Sequence, residues 1–147
     1  MCKTLKSIIG TVCLLLFISL PVNGSKLTAP IVDFNNLTNW DRNTIERMIY
    51  AVSQEEGYNN PQILVALARH ESVFLKYPKV LDTNNKYSYG LYHFQKITFD
   101  NFCVKKYQLP DDIMNPVIQT RCAIRAMKDG YFQKLWYNSY KKIYKEL

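Results

Sequence analysis

The stretch from Asn60 to Ser72 constrains this chain most, because it encodes a helix whose buried stripe ends on an acid. Asn60-Pro61 is a helix start, with Asn at the cap and Pro at the first helical position, where a missing N–H costs nothing. Ile63, Leu64, Leu67 and Ala68 then recur at three- and four-residue spacing and define one apolar face. Glu71 falls four residues after Leu67, on that same face. A carboxylate taken out of water is costly to ionise, so its pKa rises toward the range in which it can donate a proton near neutral pH. The competing reading of Glu71 is an ion pair with Arg121 or Arg125 that joins two helices.

The rest of the chain supplies more helices and one small β-element. Ile45, Met48, Ile49 and Val52 form a helical stripe that opens near Asp41 and stops at Gly57. After Phe74 the helical period fails. Pro78, the polar run Asp82-Thr83-Asn84-Asn85-Lys86 and the alternating Tyr87-Ser88-Tyr89-Gly90 predict a loop leading into a short irregular hairpin. Asp82 is expected to form an Asx-type turn with the three residues that follow it, or to serve as a second carboxylate. Thr98 is expected to cap a helix to about Tyr107, Asn115-Pro116 to start another to about Lys128, and Tyr131 to Tyr144 to form the last. The expected fold is mainly α, with about five helices and no internal repeat. With 147 residues, 48% hydrophobic and 21% charged, the composition suits one globular domain.

The first 24 residues read as a secretory signal. Lys3 and Lys6 precede an apolar run from Ile8 to Leu20, followed by the helix breaker Pro21 and small residues. At thirteen residues that run is short for a bilayer span, although an uncleaved anchor is the competing reading. Residues 25–39 lack a sustained period and are expected to be an extended leader before a domain over residues 40–147. Cys2 and Cys13 would leave with the signal, and Cys103 and Cys122 would remain to form one disulfide in an oxidising compartment. Two buried free thiols are the alternative. With seventeen basic and twelve acidic residues the chain after the signal carries +5, which favours anionic surfaces such as cell-wall polymers. The lysines are scattered without a nucleic-acid-binding motif, and no CxxC or HExxH spacing suggests a metal site, so neither nucleic acid nor metal is expected.

Several of these residues carry a family resemblance. Glu71-Ser72 closing a helix, followed by Ser88-x-Gly90-Leu91 and later by Asn115-Pro116, resembles the lysozyme superfamily, and most closely its soluble lytic transglycosylase (SLT) type domains. The resemblance spans most of residues 40–140. It implies an α+β lysozyme-like fold around a catalytic helix, cleavage of the β-1,4 bond between N-acetylmuramic acid and N-acetylglucosamine in peptidoglycan, and no cofactor. It makes Glu71 the acid and places Ser72, Ser88, Tyr89, Gly90, His93, Gln95 and Tyr137 at the substrate. Tyr137-Asn138 matches the first half of the family's Tyr-Asn-Ala-Gly motif, whereas Ser139-Tyr140 departs from it. His93 departs too, standing where the family has a glutamine; Gln95 is the nearby alternative, and a His that only caps the hairpin is the plain reading.

Ser88 lies where animal-type lysozymes carry an Asp, so a lone Glu71 assisted by the substrate's acetamido group is the expected chemistry. A hydrolytic muramidase pairing Glu71 with Asp82 and an inactive wall-binding protein are the alternatives. Tyr87, Tyr89, Tyr92 and Phe94 are candidates for stacking on sugar rings or for packing inward. The protein is expected to be a monomer, secreted or in the cell envelope, with glycan strands as its partner and no membrane span once the signal is cleaved.

Overall fold

The computed structural model describes residues 40–146. The expected signal and leader, residues 1–39, lie outside the described residues. Among the described residues no helix is long and apolar enough to cross a membrane.

The helix α1 (Arg42–Glu55) begins where the Asp41 carboxylate accepts the Thr44 N–H at 2.7 Å. Its stripe of Ile45, Met48, Ile49 and Val52 is buried, as the spacing predicts. The helix α2 (Pro61–Ser72) places Leu64, Leu67 and Ala68 in the same core, with Pro61 at its first turn. Asn60 precedes it without a side-chain hydrogen bond to the helix, so Pro61 marks this start rather than the Asn cap. The later helix α4 (Pro116–Lys128) is capped as expected, Asn115 Oδ1 accepting the N–H of Val117 at 3.0 Å and of Ile118 at 3.2 Å. Helix α1 packs on α2 and α4.

The β-element is larger than a hairpin. Strands β1 (Lys79–Leu81), β2 (Tyr87–Tyr89) and β3 (Phe94–Gln95) form an antiparallel sheet in sequence order. Val80 pairs with Ser88 and Ser88 with Gln95, so Ser88 and Gln95 sit side by side on one face. Lys79, Leu81, Tyr87 and Tyr89 take the other, where the Lys79 ammonium lies 4.2 Å from the centre of the Tyr87 ring.

Two helices differ from expectation. The one expected from Thr98 begins at Lys96, whose Nζ is held by Asp100 one turn on and by Asp111 at 2.9 Å. After α3 (Lys96–Phe99) it continues as a wider π-helical stretch over Asp100–Lys106, closing with Tyr107 N–H on the Phe102 carbonyl. Cys103 on that stretch is bonded to Cys122 on α4, which confirms the expected disulfide. The expected last helix is two: α5 (Phe132–Leu135) and α6 (Tyr137–Glu146), interrupted at Trp136 with φ −130° and ψ 52°. The interruption turns the Trp136 indole into the core, where its N–H donates to the Tyr92 carbonyl at 2.9 Å and its ring meets Phe94 edge-on at 5.2 Å. Sequence periodicity runs through such a break because both pieces keep apolar residues at helical spacing.

Candidate active site

Helix α2 ends abruptly beside Glu71, and the ending sets the site. Val73, Phe74 and Leu75 follow with φ of 51°, 55° and 66°, three successive left-handed residues, none of them glycine. Each costs about 1–2 kcal/mol relative to ordinary helix. The Ser72 hydroxyl offsets part of this by accepting the Leu75 N–H at 3.0 Å and donating to the Leu91 carbonyl at 2.8 Å. Ser72 is therefore fully buried, and it ties the end of α2 to the Gly90-Leu91 loop rather than facing the cleft.

That loop is shaped by a residue the sequence reading missed. Gln119 on α4 is fully buried; its Oε1 accepts the Tyr92 N–H at 2.8 Å, and its Nε2 donates to the carbonyls of Tyr89 at 2.9 Å and of Ile113. Gly90 sits against this amide with φ +75°, and a Cβ there would lie 1.9 Å from Gln119 Nε2. The glycine is thus required by both backbone conformation and space. Gly90 and Ser72 build the loop from behind. Tyr89 lies on the sheet's outer face with Tyr87, and Tyr92 is fully buried with its hydroxyl 3.3 Å from Thr120 Oγ1. Of the four candidate stacking aromatics only Phe94 borders the cleft, and it packs edge-on between Phe99 and Trp136.

The cleft itself encloses about 420 Å³ between the sheet and the α5–α6 corner. Glu71, Asp82, Ser88, His93 and Gln95 line one side, and Lys134, Tyr137 and Asn138 the other. Six of the nine predicted catalytic and substrate residues, counting Asp82, thus meet in one cavity, while Ser72, Tyr89 and Gly90 do not line it. Tyr137 stands half exposed at the rim.

The Glu71 side chain is 18% exposed. Neither Arg121 nor Arg125 pairs with it: both reach Glu56 at the end of α1, at 3.1 and 2.8 Å. The helix-joining ion pair exists but uses a different acid. Around Glu71 the partners are Ser139, whose hydroxyl donates to Oε1 at 2.5 Å, and His93, whose Nδ1 lies 3.7 Å from Oε2. Burial raises the carboxyl's pKa above the ordinary range; the Ser139 hydrogen bond and then the His93 charge oppose the rise, the Asp82 charge adds to it, and His70 opposes it more weakly.

Asp82 is not spent on an Asx turn. Its backbone carbonyl instead closes a β-turn by accepting the Asn85 N–H at 3.0 Å, while its Oδ2 accepts Ser88 Oγ–H at 2.6 Å and Gln95 Nε2–H at 2.7 Å. His93 is at φ +50°, with Nε2 2.7 Å from the Tyr77 carbonyl, so it also pins the segment after α2. Ser139 and Gln119 escape a reading by spacing because a serine one turn after the helix interruption at Trp136, and a glutamine inside a helix, carry no spacing signal. The departure at Ser139 from Tyr-Asn-Ala-Gly was the one visible hint.

A mainly helical domain with a small antiparallel sheet, its second helix ending on a recessed carboxylate that lines a cleft beside that sheet, defines the lysozyme-like α+β class. Within that class the chain belongs to the transglycosylase SLT domain family, whose model matches residues 41–141. No curated protein and no solved structure matches the chain.

Proposed function

We propose that this protein is a peptidoglycan lytic transglycosylase that cleaves the MurNAc-β-1,4-GlcNAc bond with Glu71 as its single acid and base. The observation that carries the reading is the Glu71 carboxyl, recessed at the end of α2, lining the cleft, free of any arginine and raised in pKa by burial. In its neutral form it donates its proton to the glycosidic oxygen, and the C1–O pair leaves with that oxygen. The substrate's acetamido oxygen stabilises the resulting positive charge at C1. The sugar's 6-hydroxyl then attacks C1 and returns a proton to Glu71, giving a 1,6-anhydro end. Ser88, whose hydrogen is committed to Asp82, has lone pairs left to accept from the acetamido N–H or the 6-hydroxyl. Peptidoglycan as substrate places the protein outside the cytoplasm, in keeping with the disulfide.

Asp82 favours a second reading, hydrolysis, because it lines the same cleft, with Ser88 and Gln95 both donating to its Oδ2. Mass analysis of soluble fragments from purified peptidoglycan separates the two. Anhydro ends, lighter by one water, support the transglycosylase. Reducing ends that disappear with Asp82→Asn establish the hydrolase. A protein that binds walls but releases nothing, with wild type and Glu71→Gln alike, refutes both.

A further inference from the structure

Two of the positions at which this chain leaves its family's motifs, His93 and Ser139, converge on the Glu71 carboxyl. Ser139 is 5% exposed on α6, and its hydroxyl donates to Oε1 at 2.5 Å. On the other side His93 Nδ1 lies 3.7 Å from Oε2. The His93 ring has little freedom, since Nε2 is 2.7 Å from the Tyr77 carbonyl. A carbonyl can only accept, so Nε2 carries a hydrogen, and in its neutral form the imidazole turns a lone pair at Nδ1 toward Glu71. A donor on one oxygen and an acceptor beside the other sort the two oxygens: Oε1 is the acceptor and Oε2 the site for the proton.

We propose that Ser139 and His93 are positioning residues that fix the acidic proton of Glu71 on Oε2, making Oε2 the oxygen that serves the leaving group. This inference rests on the reading of Glu71 as the acid. The titratable groups facing that carboxyl are His70 on its own helix, which is also 3.1 Å from Glu146, His93 from the sheet loop, and Asp82 from the end of β1, with Lys134 across the cleft. None of these distinguishes Oε1 from Oε2 by a hydrogen bond; Ser139 does.

The test uses the full chain and two readouts. The first needs no substrate: carboxyl carbon NMR, with the Glu71 signal assigned by its loss in Glu71→Gln, titrated in wild type, Ser139→Ala and Ser139→Thr. Removing a donor that favours the ionised form moves the Ser139→Ala midpoint upward, and threonine restores it. Nitrogen NMR of His93 in its neutral form shows hydrogen on Nε2 and a bare Nδ1. An unmoved midpoint in Ser139→Ala, or a hydrogen on Nδ1, overturns the proposal. The second readout is turnover of peptidoglycan: Ser139→Ala lowers kcat about tenfold with KM within about twofold, the weight of one charge-assisted hydrogen bond, and threonine recovers it. Wild-type kcat in Ser139→Ala overturns the proposal. If Ser139→Ala does not fold, Ser139→Cys, which keeps the volume with a weak donor, takes its place in both. A wild type that releases no soluble fragments refutes the glycan-cleaving function alone, and the two NMR measurements still decide the placement of the proton.

Discussion

Adding one methyl group at Gly90 should strongly destabilise this domain, and should do so through Gln119. The new Cβ would lie 1.9 Å from Gln119 Nε2, 2.6 Å from its Cδ and 2.9 Å from its Oε1. A glutamine at the surface would swing away at little cost. This one is fully buried and holds the Tyr92 N–H and the Tyr89 and Ile113 carbonyls. Displacing it leaves two buried groups unpaired at about 1–3 kcal/mol each, and a side chain at φ +75° adds about 1–2 kcal/mol, so Gly90→Ala should cost about 3–8 kcal/mol. Against a total stability of about 5–15 kcal/mol that is a large share. Gln119→Ala alone should cost about 3–5 kcal/mol from lost hydrogen bonds and a cavity. In that background the methyl has room, and Gly90→Ala should then cost only the backbone term of about 1–2 kcal/mol. Urea unfolding of the four proteins measures the coupling directly, and a value of about 3 kcal/mol is expected. Equal costs for Gly90→Ala in both backgrounds would refute the clash as the cause.

Glu71→Gln should gain stability as it loses activity. A carboxyl raised by burial stabilises the fold fully below the unfolded value of 4.5, and that contribution is lost as pH rises through the raised folded value, so the variant's urea midpoint should exceed wild type at pH 8 and match it below pH 4.5. Equal midpoints at pH 8 would mean that Glu71 is not strained by desolvation. Glu56 works with the opposite sign: its Arg125 hydrogen bonds hold the carboxyl below the ordinary range, and that stability is present above 4.5 and lost as pH falls through the lowered value. Glu56→Gln should therefore destabilise at pH 7 and do so less in acid, as read by thermal unfolding at both. Replacing Cys103 and Cys122 by serine should cost about 3 kcal/mol by closure of the loop they define, and a reductant should lower the Tm of wild type while leaving the variant unchanged.

Local chemistry decides much of this protein along the chain. Pro61 starts a helix whatever surrounds it, Asn115 caps one through its own oxygen, and the stripes of α1 and α2 must be buried by something. Glu71 is legible for the same reason: four residues after Leu67, a carboxylate shares the buried face. Sequence alone also brings Cys103 and Cys122 into question as a pair. What spacing cannot carry is any relation whose terms lie far apart in the chain and meet only after packing. The last helix breaks at Trp136 because a carbonyl 44 residues earlier accepts its indole N–H. The helix expected at Thr98 starts two residues earlier, where Lys96 meets Asp111 from 15 residues along the chain. Asp82 is recruited into the cleft by Ser88 and Gln95, its neighbours across the sheet, when its own local preference is for a turn. Ser139 reaches Glu71 over a separation of 68 residues, and Gln119 reaches the glycine loop across 30. A buried polar group must find a partner, and which partner it finds is set by where helices and sheet come to rest. Spacing along the chain puts the Glu71 carboxyl on a buried face, and packing alone selects the groups that hold it.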